Sequence, residues 1–204
     1  MVEKRKPQVG VLALQGDFAR HEKSLRAAGA QALPVRVAAD LEGCRGLVIP
    51  GGESTTLMHL AREGGLVQPL RAFASRGAIM GTCAGLIVLS RQLAGSSMGT
   101  LGLLDIRAER NGFGRQAESF MDKVDLNLDG RESRMEGVFI RAPRILDVGE
   151  GVRILGYWRE EAVMVRSGRI LALTFHPELT AYYTIHRYFV NNMVMKNAHT
   201  AGAA

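Results

Sequence analysis

The stretch Ala78-Ile79-Met80-Gly81-Thr82-Cys83-Ala84-Gly85-Leu86-Ile87-Val88-Leu89 constrains this chain more than any other. A short apolar run leads into Gly-Thr-Cys-Ala-Gly, and a second apolar run of helical character follows. The pattern predicts a buried strand, a tight turn carrying the cysteine, and a helix. Gly81 and Gly85 stand two residues to either side of Cys83, where bulkier side chains would jam a sharp strand-to-helix reversal. This has the mechanics of a nucleophile elbow, with sulfur in place of oxygen. A thiol there sits at a helix N-terminus, whose macrodipole and free N–H groups favour a thiolate and an adjoining oxyanion. The same residues also suit a structural cysteine buried in a Gly-rich turn. The stretch alone leaves both readings open.

Upstream, strands and helices alternate. Val9 to Leu14 is an apolar run of buried-strand type, ended by Gln15-Gly16-Asp17. Asp17 is the expected N-cap of a helix from Phe18 to Ala28, stopped by Gly29. A strand near Ala32 to Val37 follows. Gly46-Leu47-Val48-Ile49 then runs into Pro50-Gly51-Gly52-Glu53-Ser54-Thr55-Thr56, with Ser54 or Thr55 as the expected cap of the next helix. A further helix is predicted from Leu66 to Arg76, closed by Gly77 before the strand that reaches Cys83. Alternation at this spacing predicts an α/β fold with a parallel sheet covered on both faces.

The second half carries an added antiparallel hairpin region. Strands are predicted over Glu118 to Leu128, Gly137 to Ile145, Val152 to Trp158 and Ala162 to Arg166. Ser167-Gly168 is read as a two-residue turn into Arg169 to Thr174. A final helix, about Ala181 to Met195, carries Ile185, Tyr188, Phe189 and Met193 at core-facing spacing. The expected organisation is an N-terminal tail at 1–8, one domain at 9–195, and a disordered tail at 196–204.

Composition excludes several classes. No apolar run approaches the ~20 residues of a membrane span, and the charged start lacks a signal-type cleavage region, so a cytoplasmic protein is expected. The net charge of +6 comes from scattered basic residues and no nucleic-acid motif accompanies it; attraction to an acidic protein face or an anionic small molecule explains it as well. The two cysteines, Cys44 and Cys83, have no C-x-x-C spacing and make neither a zinc site nor an expected disulfide. Cys44 precedes a strand with no helix start behind it and reads as a packing or surface thiol.

Phe175-His176-Pro177-Glu178 decides the cysteine question. Pro177 biases His176 toward extended backbone, and side chains two apart in such a segment face the same way. Glu178 can then accept a hydrogen bond from His176, orienting the ring as the acid of a triad does. Cys83, His176 and the turn from Pro50 to Ser54 each follow a predicted strand, and ligands gather beyond those strand ends in parallel sheets. Gly51-Gly52 can present N–H groups to an oxyanion, and Glu53 and Ser54 are placed to bind a polar substrate; alone, the turn is ordinary.

With these residues the chain resembles the class I glutamine amidotransferases. More narrowly, four segments are similar to the glutaminase subunits of pyridoxal phosphate synthases: Leu14-Gln15-Gly16, Pro50 to Thr56, Glu109-Arg110-Asn111-Gly112-Phe113-Gly114-Arg115-Gln116, and Phe139-Ile140-Arg141-Ala142-Pro143. The resemblance spans Val9 to Met195. It implies a single-domain, flavodoxin-like, three-layer fold with no cofactor and no metal. Cys83 would attack the side-chain amide of L-glutamine, the N–H groups of Gly52 and Ala84 would hold the oxyanion, and His176, oriented by Glu178, would move the protons through a glutamyl thioester. Gly52, Glu53, Ser54, Arg110, Ile140 and Arg141 would line the glutamine site. A planar arginine fork suits a substrate carboxylate, although without the resemblance Arg110 and Arg141 read as solvated surface charge. Ammonia would pass to a separate barrel-shaped synthase subunit, with Gln15 in the loop near that contact.

Two segments depart from that family's pattern, Leu179 to Tyr183 and Asp17 to His21. Both lie outside the triad and bear on partner contacts more than on chemistry. A peptidase or glyoxalase sharing the cysteine elbow is disfavoured by His-Pro-Glu and the Gly-Gly-Glu-Ser turn. A non-catalytic module is disfavoured by the intact Cys83, His176 and Glu178.

Overall fold

Alternate residues of the central strands are committed to opposite hydrophobic layers. In the computed structural model, which describes residues 6–113 and 119–196, Val9, Val11, Val48, Met80 and Leu171 pack on one face with Leu25, Ile185 and Phe189. Leu12, Leu47, Ile49, Ile79 and Ala172 pack on the other with Leu57, Leu70 and Phe73. That two-sided burial is what a parallel sheet between helical layers requires.

The sheet is built from β1 (Gln8–Leu12), β2 (Gln31–Val35), β3 (Gly46–Ile49), β4 (Ala78–Thr82) and β12 (Ile170–Leu173), ordered β2-β1-β3-β4-β12 and all parallel. This is the flavodoxin-like order, with its switch point between β1 and β3. Beyond β12 the sheet continues antiparallel through β11 (Glu161–Ser167), β10 (Arg153–Trp158), β7 (Ser119–Leu128) and β8 (Arg131–Ile140). The expected mainly parallel sheet with an antiparallel extension is therefore what forms. On one side lies α1 (Phe18–Ala27) with α5 (Thr184–Tyr188); on the other lie α2 (Ser54–Glu63), α3 (Val67–Arg76) and α4 (Ala84–Leu89).

Several local expectations are corrected. The carboxylate of Asp17 makes no cap to α1 and pairs with Arg20 at 2.8 Å. The cap of α2 is Glu53, whose side chain accepts from Thr56 N–H at 2.9 Å; Ser54 is instead the first helical residue. Ser167 pairs with Ile170, so the hairpin turn is Gly168-Arg169, with Gly168 at φ 52°. The run Gly137 to Ile145 is not one strand: Arg141, at φ 43°, breaks it, and β9 (Arg144–Val148) leaves for another sheet. That second sheet, β5 (Ser90–Leu93), β6 (Leu104–Glu109) and β9, was not expected, although Leu104-Asp105-Ile106-Arg107-Ala108-Glu109 of β6 alternates apolar and polar residues. The last helix begins at Thr184, not Ala181, and turns into a π-helix at Phe189–Val194; its predicted core residues are buried. The expected tail lies outside the described residues from 197 onward, as do Gly114, Arg115 and Gln116.

Candidate active site

β4 carries the chain to Cys83, where it must reverse at once into α4. Cys83 does so at φ 49°, ψ −105°, a region that non-glycine residues rarely occupy. Two close approaches enforce the turn. A Cβ on Gly81 would stand 2.6 Å from Leu89 Cδ1, and one on Gly85 would overlap the Ile49 carbonyl of the neighbouring strand. Cys83 N–H is tied to Leu173 O of β12 at 2.8 Å. The elbow is thus held from both sides. As the first residue of α4, Ala84 has an N–H with no intrahelical acceptor.

His176 arrives from β12, but not on an extended strand as the sequence suggested. The strand ends at Leu173, and Pro177–Leu179 form a single 3-10 turn. That turn, rather than a pleat, brings His176 Nδ1 within 2.7 Å of Glu178 Oε1. His176 N–H is anchored to Val138 O of β8 at 2.8 Å. With Nδ1 taken by Glu178, Nε2 is left for Cys83.

Burial alone would lower the His176 pKa, but its hydrogen bonds to Cys83 and Glu178 and their charges raise it to about 10. The ring is therefore favoured as an imidazolium between a carboxylate and the sulfur. Burial pushes the Glu178 carboxyl up, and His21 and His176, both directed at it, outweigh that and hold Glu178 well below the usual carboxylate range. α4 is six residues long, and the imidazolium adds its positive charge beside the sulfur to the dipole of that short helix.

A cleft of about 130 Å³ opens over Cys83 and His176. Its wall from the β3 turn is Gly52, Glu53 and Ser54, and its wall from the elbow is Ala84 with Ile87. Arg110, Asn111, Ile140 and Arg141 close the far side. Every substrate-site residue singled out in the sequence thus faces one cavity beside the triad. Glu178 lies behind His176, outside the cavity. Ile87 and Asn111 escaped the sequence reading. Ile87 is four residues past Cys83 and so shares its helix face, and Asn111 adjoins Arg110.

Glu53 caps α2 through Oε2 and receives Arg110 Nη2 on Oε1 at 2.7 Å. The Thr56 N–H, then the Thr56 hydroxyl and Arg110, hold the Glu53 carboxyl below its usual range despite partial burial. Arg110 Nη1 also donates to Thr55 Oγ1 at 3.1 Å, so the guanidinium is fixed in orientation at the rim. Gln15, from the loop after β1, supports the turn from behind. Its Oε1 accepts Glu53 N–H at 3.0 Å, and its amide packs on Gly52, which sits at φ 136°. Ile140 O lies 3.8 Å from Cys83 Sγ.

The sequence profile of the SNO glutamine amidotransferase family matches residues 11–195. Among curated relatives, the pyridoxal 5'-phosphate synthase subunit PdxT of Pelotomaculum thermopropionicum is 49% identical, over 96% of this chain and 100% of its own. The PdxT of Geobacillus kaustophilus is 45% identical, over 96% of this chain and 98% of its own. A crystal structure of a glutamine amidotransferase superposes with a TM-score of 0.85 at 44% identity, covering 94% of this chain and 98% of that one.

Proposed function

The chain belongs to the SNO glutamine amidotransferase family, and from that membership we propose that it hydrolyses L-glutamine to L-glutamate and ammonia as a subunit of a pyridoxal 5'-phosphate synthase. The observation that carries this reading is the convergence of a strained, buried cysteine with an imidazole–carboxylate pair under a cleft rimmed by Arg110 and Arg141.

The chemistry follows from the charges. Cys83 Sγ attacks the side-chain amide carbon, and the C–O π pair moves onto oxygen. The N–H groups of Gly52 and Ala84 donate hydrogen bonds to that oxyanion as an oxyanion hole does. Collapse breaks the C–N bond while His176 gives its Nε2 proton to the departing ammonia. The neutral ring, still oriented by Glu178, then takes a proton from water, whose oxygen attacks the thioester and releases glutamate with the thiolate regenerated. Arg110 and Arg141 hold the substrate α-carboxylate, with Glu53, Ser54 and Ile140 shaping the pocket. Residues 9–195 form the glutaminase domain.

Ammonia passes to a partner barrel subunit that builds the pyridoxal phosphate ring, with Gln15 in the loop that would lie near that contact. No described helix is long and apolar enough to cross a membrane. Two free thiols, Cys44 and Cys83, support a cytoplasmic setting. The test is glutamate release from glutamine with and without the synthase subunit. Turnover that depends on the partner and vanishes in Cys83→Ala is the expected result; none in the complex overturns the reading.

A further inference from the structure

Glu178 is the most enclosed member of the triad, its side chain 1% exposed. Oε1 accepts a hydrogen bond from His176 Nδ1–H, whereas Oε2 is buried and has no aligned hydrogen bond among the described residues. The group facing Oε2 is His21 Nε2, 3.3 Å away. His21 is fully buried on α1, and both of its nitrogens are engaged: Nε2 lies 3.2 Å from Thr82 Oγ1 and Nδ1 lies 3.1 Å from His186 Nε2. Thr82 is the residue before the nucleophile. Four elements therefore meet at this ring: the end of β4, α1, α5 and the 3-10 turn that carries Glu178.

Proton placement follows from what is left unpaired. His186 Nδ1 is buried without a partner, and a lone pair is a smaller loss there than an orphaned N–H. His186 then carries its proton on Nε2 and donates to His21 Nδ1. His21 in turn carries its proton on Nε2 and aims it at Thr82 and Glu178. Burial first, and His21 beside it, keep His186 neutral, its pKa lowered to about 3. The donors run in one direction, toward the carboxylate.

We propose that His21 is a positioning residue of the triad, its Nε2–H facing Glu178 Oε2 so that the carboxylate stays ionised with Oε1 turned onto His176. The inference rests on the glutaminase reading for its kinetic consequence. The titratable groups around the ring are Glu178 and His176 from the turn after β12, His186 from α5 and, beyond His176, Cys83. A buried carboxylate with one oxygen facing no donor would be driven toward its neutral form, and His176 would lose the charge that holds it as an imidazolium.

Two variants separate this role from core filling. In His21→Gln the amide nitrogen reaches the position of Nε2; in His21→Asn it reaches only that of Nδ1. Kinetics are measured in the complex with the synthase subunit, and iodoacetamide alkylation of Cys83 is followed against pH in the full chain alone. His21→Asn should lower kcat about tenfold with KM within about twofold, the scale seen when a group orienting a reacting ligand is lost, and His21→Gln should recover most of it. The alkylation profile of His21→Asn should move to higher pH, and that of His21→Gln should stay near the parent. Equal kcat losses in the two variants, or an unmoved alkylation profile in His21→Asn, would overturn the proposal. Alkylation needs no glutamine, so failure of the glutaminase reading would show separately, as a parent complex that releases no glutamate. Should His21→Asn not fold, Thr82→Val against Thr82→Ser poses the same question through the hydroxyl that holds the ring, with the same two outcomes.

Discussion

Gly51 lies against the catalytic imidazole: a Cβ there would overlap His176 Cε1 and stand 3.1 Å from Nδ1 and 3.3 Å from Cys83 Cβ. The residue before the oxyanion turn thus sets how closely nucleophile and base approach. In Gly51→Ala the ring must swing away, and a misplacement near 1 Å costs about a hundredfold in rate. We expect kcat for glutamate release to fall on that scale while the melting temperature stays near the parent. A kcat within about threefold would show that the ring has room the structure denies it.

Much of this site was legible because its signals are local. Gly81, Cys83 and Gly85 announce the elbow within five residues, and Gly51-Gly52 and His176-Pro177-Glu178 are equally short. What escaped depends on distance along the chain or on competition between neighbours. His21 meets His186 across 165 residues, and nothing near either one marks the encounter. Ser54 and Thr55 were the better-looking caps, but Glu53 already had Arg110 to hold it in place. His176 and Glu178 were paired correctly for the wrong reason, since a 3-10 turn and a pleat can both bring residues two apart together. The sheet of β5, β6 and β9 escaped because β6 and β9 pair across a gap occupied by other elements.

Arg110 presents a fork that is already anchored, one nitrogen on Glu53 and the other on Thr55. A lysine reaches the same region but cannot hold two acceptors in a plane. Arg110→Lys should raise KM for glutamine about tenfold with kcat within about threefold, the pattern of lost uniform binding. Steady-state kinetics in the synthase complex decide it. An unchanged KM would remove Arg110 from the substrate site.

Gln15 supports the Gly52–Glu53 turn through its bond to Glu53 N–H. Gln15→Ala removes that acceptor and the wall against Gly52, loosening the turn that also carries the Gly52 N–H toward the oxyanion. Loss of one oxyanion donor costs about 10²–10³ in kcat. Loosening the turn should cost less, about tenfold, with KM little changed. A fall in KM-limited rate alone, with kcat intact, would place Gln15 in substrate binding instead.

The histidines also set how stability follows pH. His176, raised from 6.5 to about 10, contributes stability that is complete below pH 6.5 and is lost as pH rises toward 10. Glu178, lowered from 4.5, contributes stability present above pH 4.5 and lost as pH falls further. His186, lowered from 6.5 to about 3, must gain a proton on unfolding between those values, so its contribution is full above pH 6.5 and shrinks as pH falls toward 3. Between pH 4.5 and 6.5 neither His176 nor Glu178 changes its contribution, so of these three groups only His186 gives a slope there. Unfolding by urea across that window should show stability falling with acid by up to about 1.4 kcal/mol per pH unit, the limit for one proton. His186→Gln, which cannot titrate, should flatten the window and leave the loss below pH 4.5 in place. A slope left unchanged by the substitution would mean that His186 is not buried neutral, and with it the direction assigned to the donors behind Glu178 would fall.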